Sequence, residues 1–422
     1  MHRSPIPQSP PPPSSSGDGT GLGFDGGLDA AVAAPPPPPP AKDFSYLLRP
    51  EIYHPLTLAN VPPPFRTSQW QPNPATPLPD LVAAGHFRAA AIVAAQQLTG
   101  TGGDGVPGLV GTPPDPTDHV RIFDLLYTRL VCLLLIDATA LAAQEGKALG
   151  DLNNPFYLLD DAGTVAATGI ANHLVPWALR VLHVRLQGLG FGDPRRAVMS
   201  YYELAREARA RIGAALARHD HAASELWKGR LAELGLKVAG ALIEMDDMAG
   251  AAAHLASMSA AATGGDSSTR TETAKALLWL HLGDVEAARA AIHAAYVGRG
   301  GFRGDDLAPR VVAALCDMAD DEYEAALSAW RALREDAPGD EMIGVNLAVC
   351  LLYVGKLEEG RALLESLVDA GYSSHTLLFN LSTMYELCTD RAKSQKQQLA
   401  QRVADMEPSA KGWEKANADF KL

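Results

Sequence analysis

From Leu81 onward apolar residues recur at intervals of three and four, and alternating β-branched runs are missing. That spacing predicts helix almost throughout. Ala, Leu, Glu and Arg, all favourable in helices, dominate the stretch. Ile122 to Ala143 reads as one helix and Val175 to Leu189 as another, with Arg180, Arg185 and Gln187 at polar positions of the second. Gly192-Asp193, Asp246-Asp247, Gly283-Asp284 and Asp320-Asp321 mark turns between helices.

The pattern before Leu81 differs. Residues 1–80 hold 21 of the 31 prolines, four more sit between Gly100 and Asp118, and six remain for the rest. Segment 1–40 is Pro, Ser and Gly with a six-proline run from Pro35 to Pro40 and almost nothing apolar to bury. It reads as a disordered tail of polyproline II character, able to solubilise the chain or to meet a proline-recognition module. In 41–80 Phe44, Tyr46, Leu47, Ile52, Tyr53, Phe65 and Trp70 are spread among prolines, which predicts an extended segment wrapped on the folded body. The alternative is a short linear motif for another subunit.

The helical region carries a repeat. A tetratricopeptide unit has 34 residues in two antiparallel helices, with small residues where they cross. Units starting at Leu307, Glu341 and His375 stand in tandem without a gap. They place Ala314, Ala348 and Ser382 at position 8, and Ala326, Gly360 and Ser394 at position 20. Position 24, which wants bulk, holds Trp330 and Leu364 but Gln398 in the last unit. Earlier units start near Ala232 and Thr269, with Ala239 and Ala276 at position 8, Ala251 and Ala288 at position 20, and Leu255 and Ile292 at position 24. A sixth, at Ala178, puts Arg185 at position 8 against the rule. An Ala-rich chain meets one small-residue demand by chance; five units in one register are harder to obtain that way. The fold expected is an all-α tetratricopeptide-type solenoid with a disordered Pro-rich N-terminal tail. Its parts are the tail 1–40, the aromatic and proline segment 41–80, an N-terminal helical part 81–231, the repeats 232–408 and a C-terminal tail 409–422.

Charge narrows the function. With 36 basic and 49 acidic residues the net charge is −13, which speaks against nucleic acid and against a membrane surface held by basic patches. The longest greasy run, Leu130 to Ala143, is interrupted by Asp137 and too short to span a bilayer. The start runs into prolines, so no secretory signal is expected, and four Cys without paired spacing fit a reducing compartment.

Candidate chemistry is sparse. Gly21-Leu22-Gly23-Phe24-Asp25-Gly26 spells the dinucleotide motif but follows no strand and opens no helix. His219, Asp220, His221 and Glu225 are the one ligand-like cluster, and a third ligand at metal spacing is not evident. Cys132, Cys316, Cys350 and Cys388 lie far apart on predicted helices and read as core. No catalytic residue, cofactor or metal is expected, and the chain does not read as an enzyme.

Binding is the better prospect. Asn346 and Asn380 share position 6 in adjacent units and should face the concave groove, where Asn holds an extended peptide backbone or simply supports neighbouring helices. The inner positions Val345, Val349, Phe379 and Thr383 lack the Lys that captures a terminal carboxylate. The last unit also crowds Leu377, Leu378, Phe379, Leu381, Met384 and Tyr385 into nine residues, and an uncovered apolar end marks an interface. Trp413 and Phe420 cover part of it, or the helix Lys393 to Asp405 folds back over all of it; otherwise the interface moves to the aromatic segment Phe44 to Trp70.

One resemblance emerges. Asn346-Leu347-Ala348-Val349-Cys350-Leu351-Leu352-Tyr353-Val354-Gly355-Lys356-Leu357, then Leu378-Phe379-Asn380-Leu381-Ser382-Thr383-Met384-Tyr385-Glu386-Leu387 and Gln395-Lys396-Gln397-Gln398-Leu399, is similar to the last repeats of the trafficking protein particle complex subunit 12 family. Val175-Pro176-Trp177-Ala178-Leu179-Arg180-Val181-Leu182-His183, Leu226-Trp227-Lys228-Gly229-Arg230-Leu231 and the ending Phe420-Lys421-Leu422 resemble further family segments. Residues 1–40 show none of it, and Ala replaces many core positions. The resemblance implies a non-catalytic subunit of a vesicle-tethering complex that acts on Rab-family GTPases between endoplasmic reticulum and Golgi and in autophagy. It implies the other subunits of that complex as partners, the GTPase only indirectly, and a cytoplasmic place at endoplasmic reticulum-Golgi intermediate and Golgi membranes without insertion. A free-standing adaptor for short peptides, or an enzyme whose site the sequence hides, are the rival readings.

Overall fold

The computed structural model describes residues 42–101, 112–159, 170–258, 266–297 and 306–422; the expected disordered tail lies outside them. The described residues form 17 α-helices with short 3-10 turns and one isolated antiparallel bridge, Leu158 to His173. The helices are α1 (Pro63–Arg66), α2 (Leu78–Ala83), α3 (Phe87–Thr99), α4 (His119–Leu135), α5 (Thr139–Gly146), α6 (Trp177–Phe191), α7 (Pro194–Ala217), α8 (His221–Glu244) and α9 (Met248–Ser257). They continue as α10 (Asp266–His281), α11 (Val285–Val297), α12 (Leu307–Ala319), α13 (Tyr323–Asp336), α14 (Glu341–Tyr353), α15 (Leu357–Asp369), α16 (His375–Cys388) and α17 (Ala392–Ala404). Neighbours in sequence pack against one another, so the chain is an all-α tetratricopeptide-type solenoid.

The repeat register sits on the helices themselves. α12, α14 and α16 begin at Leu307, Glu341 and His375. Ala239, Ala276, Ala314, Ala348 and Ser382 are fully buried at position 8, and Ala251, Ala288 and Ala326 at position 20. The physical reason shows at Gly360, where a Cβ would sit 3.0 Å from the Ala348 carbonyl oxygen. Any larger side chain at that crossing would force α14 and α15 apart. The last unit departs by one residue. Second helices start 323 − 307 = 16 and 357 − 341 = 16 residues into their units, but 392 − 375 = 17 in the last. Leu399 therefore takes the bulky position, buried, while Gln398 and Ser394 face solvent. In the unit near Ala178 the close approach is made by Gly188, whose Cβ would lie 3.1 Å from that of Ala197, and Arg185 is free to reach Glu244 at 2.5 Å.

The turns share one construction. Asp246, Asp321, Gly192 and Gly283 take left-handed φ of 62°, 62°, 62° and 81°. In three of the four pairs the next residue, Asp193, Asp247 or Asp284, accepts a hydrogen bond from an amide three residues on. His219 and Asp220 do the same between α7 and α8, with φ +56° at His219 and Asp220 accepting from Ala223. Glu225 pairs with Lys228. The ligand-like cluster thus has structural work to do, and no group of three or more metal-binding side chains occurs among the described residues.

The expected single helix from Ile122 to Ala143 is two. α4 stops at Leu135, Asp137 turns left-handed at φ +57°, and α5 begins at Thr139. Asp tolerates that conformation at small cost, and the break lets α5 lie against α6. Arg129 on α4 and Glu145 on α5 form a buried bidentate pair at 2.7 and 2.9 Å. Arg129 also donates to the carbonyls of Ala91 and His54, and Glu145 accepts from the His54 amide. The pair therefore pins the front segment to the helices, and Phe44 meets Phe123 edge to face at 5.0 Å a little before it.

The same segment continues to the far end of the array. Val61 and Phe65 are buried in one cluster with Leu377, Leu381, Val403, Trp413 and Phe420. The Ser68 hydroxyl donates to the Ala404 carbonyl and the Trp70 indole to that of Asp405, so they satisfy the open C-terminus of α17. The Trp413 amide donates to Gly85, the Asn417 amide to Asn60, and Arg88 pairs with Glu414. Gly85 has φ +73° and a Cβ there would lie 2.1 Å from the Ser409 carbonyl oxygen. Only glycine permits that seam. The first helices of the solenoid and its last repeat are thus in direct contact.

Candidate protein-binding surface

α16 is the element on which the sequence placed most candidate contacts. Ser374 caps it by accepting from the Leu377 amide at 3.2 Å. Leu377 and Leu378 are fully buried and Tyr385 is 3% exposed, which corrects the expectation of an open apolar end. The cover is wider than Trp413, Phe420 and the returning helix α17: Val61 and Phe65 arrive from the front of the chain and complete it. Burial raises the Tyr385 phenol above its ordinary range, with Glu365 adding to the effect.

Phe379 alone of the six named residues is exposed, at 40%. Its face of α16 is lined by His375, Thr383 and Glu386, and the C-terminal tail lies along it. Asp419 sits 2.5 Å from the His375 ring nitrogen, and the Lys421 ammonium reaches Thr383 at 3.2 Å and stands 5.2 Å from the Phe379 ring centre. Lys396 and Lys421 both pair with Glu386 and hold its carboxyl below the ordinary range. Asn380 is half-buried next to this face. Asn346, one unit earlier, donates from its side-chain amide to the Met342 carbonyl of its own helix at 2.9 Å. This face of α16 is therefore partly covered by the chain's own tail.

Beside the tail a cleft of about 850 Å³ opens between the Pro62, Pro63 and Pro64 wall and α17, with Lys393, Lys421 and Leu422 at its rim. Nothing in the sequence pattern announced it, because its walls come from opposite ends of the chain. Cys132, Cys316 and Cys350 are buried and Cys388 is half-buried, and burial raises all four thiols, which disfavours the thiolate.

The comparisons with known proteins bear on the whole array. Over 352 residues, 78% of this chain, the mouse protein named trafficking protein particle complex subunit 12 is 25% identical. The chain is similar to subunit 12. The human protein of that name is also 25% identical, over 353 residues. These stretches cover 43% and 46% of the relatives, so the chain spans less than half the length of the curated relatives it matches. No family model matches. Among solved structures, a tetratricopeptide repeat protein from Parabacteroides merdae covers 67% of this chain and 90% of its own at 13% identity, with a TM-score of 0.37. The tetratricopeptide domain of P58(IPK) covers 77% and 90% at 14% identity, with a TM-score of 0.21. The assignment of the fold rests on the helix pairs and their crossings.

Proposed function

We propose that this chain is a non-catalytic helical-repeat subunit of a tethering complex of the trafficking-protein-particle type, acting in transport between endoplasmic reticulum and Golgi and in autophagy. The observation that carries the reading is the 25% identity to subunit 12 spread over 78% of the chain. A solenoid suits the role, because stacked repeats offer long surfaces without a closed reaction pocket. In this reading its partners are the other subunits, a Rab-family GTPase is reached only through them, and the chain sits peripherally at the membrane. No described helix is long and apolar enough to cross a bilayer. Phe379, Asn380 and Asn346 remain the candidate contacts, Phe379 beside the docked tail.

The rival adaptor reading needs an open groove, and the tail on α16 argues against it. Affinity purification of the tagged chain from its own cells, followed by mass spectrometry, separates the two. A stoichiometric set of trafficking-protein-particle subunits supports the proposal, and scattered clients at low stoichiometry overturn it.

A further inference from the structure

α6, α7 and α8 bring three arginines and two tryptophans together. Trp177 and Trp227 meet at 86° with ring centres 5.1 Å apart. The Arg230 guanidinium lies in their corner, 4.4 Å from the Trp227 centre and 5.3 Å from that of Trp177. Arg211 stands 5.0 Å from the Trp227 centre and Arg180 5.5 Å from that of Trp177. Glu207 is the carboxylate in their midst. It spends one oxygen on Arg180 at 2.5 Å and the other on Arg211 at 2.9 Å. Arg211 turns its remaining nitrogens to Ala171 and Asn172.

Arg230 is left over. It makes no ion pair or hydrogen bond with any described residue; burial and the Arg211 cation disfavour its charge, while Glu207 and Glu233 act on it through space without pairing with it. With Glu207 and Glu233 both counted, the local balance is 3 − 2 = +1 within a chain of net charge −13. The buried Nε of Arg180 also lacks a partner. Stacking on indoles holds a guanidinium in place without neutralising it, and leaves its in-plane N–H donors pointing outward.

We infer that the corner of Trp177, Trp227, Arg211 and Arg230 is a docking site for a carboxylate of an acidic segment on a partner protein. A planar carboxylate matches the Arg fork in two parallel hydrogen bonds, and its aliphatic stem covers the half-buried indole edges. A bare phosphate would satisfy the charge and leave those edges wet. Arginine and tryptophan in one partly desolvated patch are also the side chains that dominate protein interfaces. The site is independent of the tail-covered face of α16 and of membership in any complex.

The test uses the full chain and a fluorescein-labelled hexaglutamate peptide, followed by anisotropy at low salt, with inorganic phosphate and phosphatidylserine vesicles as competing probes. Wild type should bind the peptide, and Arg230→Gln should weaken it at least about tenfold while melting within about 2 °C of wild type. Arg230→Lys keeps charge and stem but not the fork, and should bind at least about threefold more weakly. Should the Gln variant fail to fold, the Lys variant decides: weakened binding supports the site, and unchanged binding overturns it. Equal binding by wild type and Arg230→Gln, no peptide binding at all, or displacement by vesicles but not by unlabelled peptide, each overturns the proposal.

Discussion

Phe65 and Trp413 meet edge to face, ring centres 5.4 Å apart and planes at 66°, from opposite ends of the chain. Both are buried. Their contact covers the leucines that a terminal repeat would otherwise leave bare. Phe65→Ala should cost about 3–5 kcal/mol through the cavity it leaves. Urea unfolding measures it, and an unchanged midpoint would place Phe65 off the body in solution.

Gly85 is the narrow point of the same seam. Gly85→Ala puts a methyl group against the Ser409 carbonyl and forces a non-glycine residue into positive φ. We expect a loss of about 1–3 kcal/mol or more, together with faster proteolysis between 405 and 422. Limited proteolysis of wild type and variant side by side checks it.

Inside the array, Ala348 and Gly360 set the distance between α14 and α15. Ala348→Leu should overpack the crossing and cost about 1–3 kcal/mol. Coincident urea midpoints for wild type and variant would mean that the 34-residue register is misplaced.

Leu377→Glu separates burial from docking. A carboxylate there would be buried without a partner, so the protein should lose about 3 kcal/mol or more and melt early. Phe379→Ala, on the exposed rim, should leave stability within about 0.5 kcal/mol. A Leu377→Glu protein with wild-type melting would reopen the case for an uncovered end.

His183 supplies a pH dependence. Burial pushes its pKa down to about 4; the Gly150 backbone and Asp151 oppose the shift and Arg196 adds to it. An unfolded histidine titrates near 6.5. Between those values the unfolded chain binds a proton that the folded chain does not, so stability is complete above about pH 6.5 and is lost as pH falls toward 4. The loss from this residue between pH 7 and 5 is about 2 kcal/mol. His183→Gln should flatten that part of the slope, measured as urea midpoints at the two pH values. Parallel slopes would show that His183 is protonated in the folded state.

The repeats were legible because their signal is local. Ala314, Ala348 and Ala326 stand at fixed intervals, and each interval reports one helix crossing. The extra residue in the last unit was not, since Gln398 at the bulky position reads as a departure until α17 is seen to start one residue late. The seam was legible only in part. Phe65 and Trp70 read as residues that must pack somewhere, but contacts between the front and Trp413 have no period to betray them. Arg180 read only as a polar position of its helix, and its burial beside Glu207 had no local signal. The strings around Trp177 and Trp227 carried family resemblance as separate words, and only folding brings them into one corner.

A linear stack of repeats has two loose ends, and melting starts by fraying there because each terminal unit has one neighbour instead of two. Here the contacts of Phe65, Ser68 and Trp70 give the last unit its second neighbour, and those of Gly85 and Arg88 hold the tail that follows it. Removing any single repeat then bares two faces rather than one, so partial unzipping gains little entropy for the contacts it gives up. Such a chain should come apart as one cooperative event despite its modular sequence, with an indole signal from Trp413 and a helical signal from the middle repeats falling together.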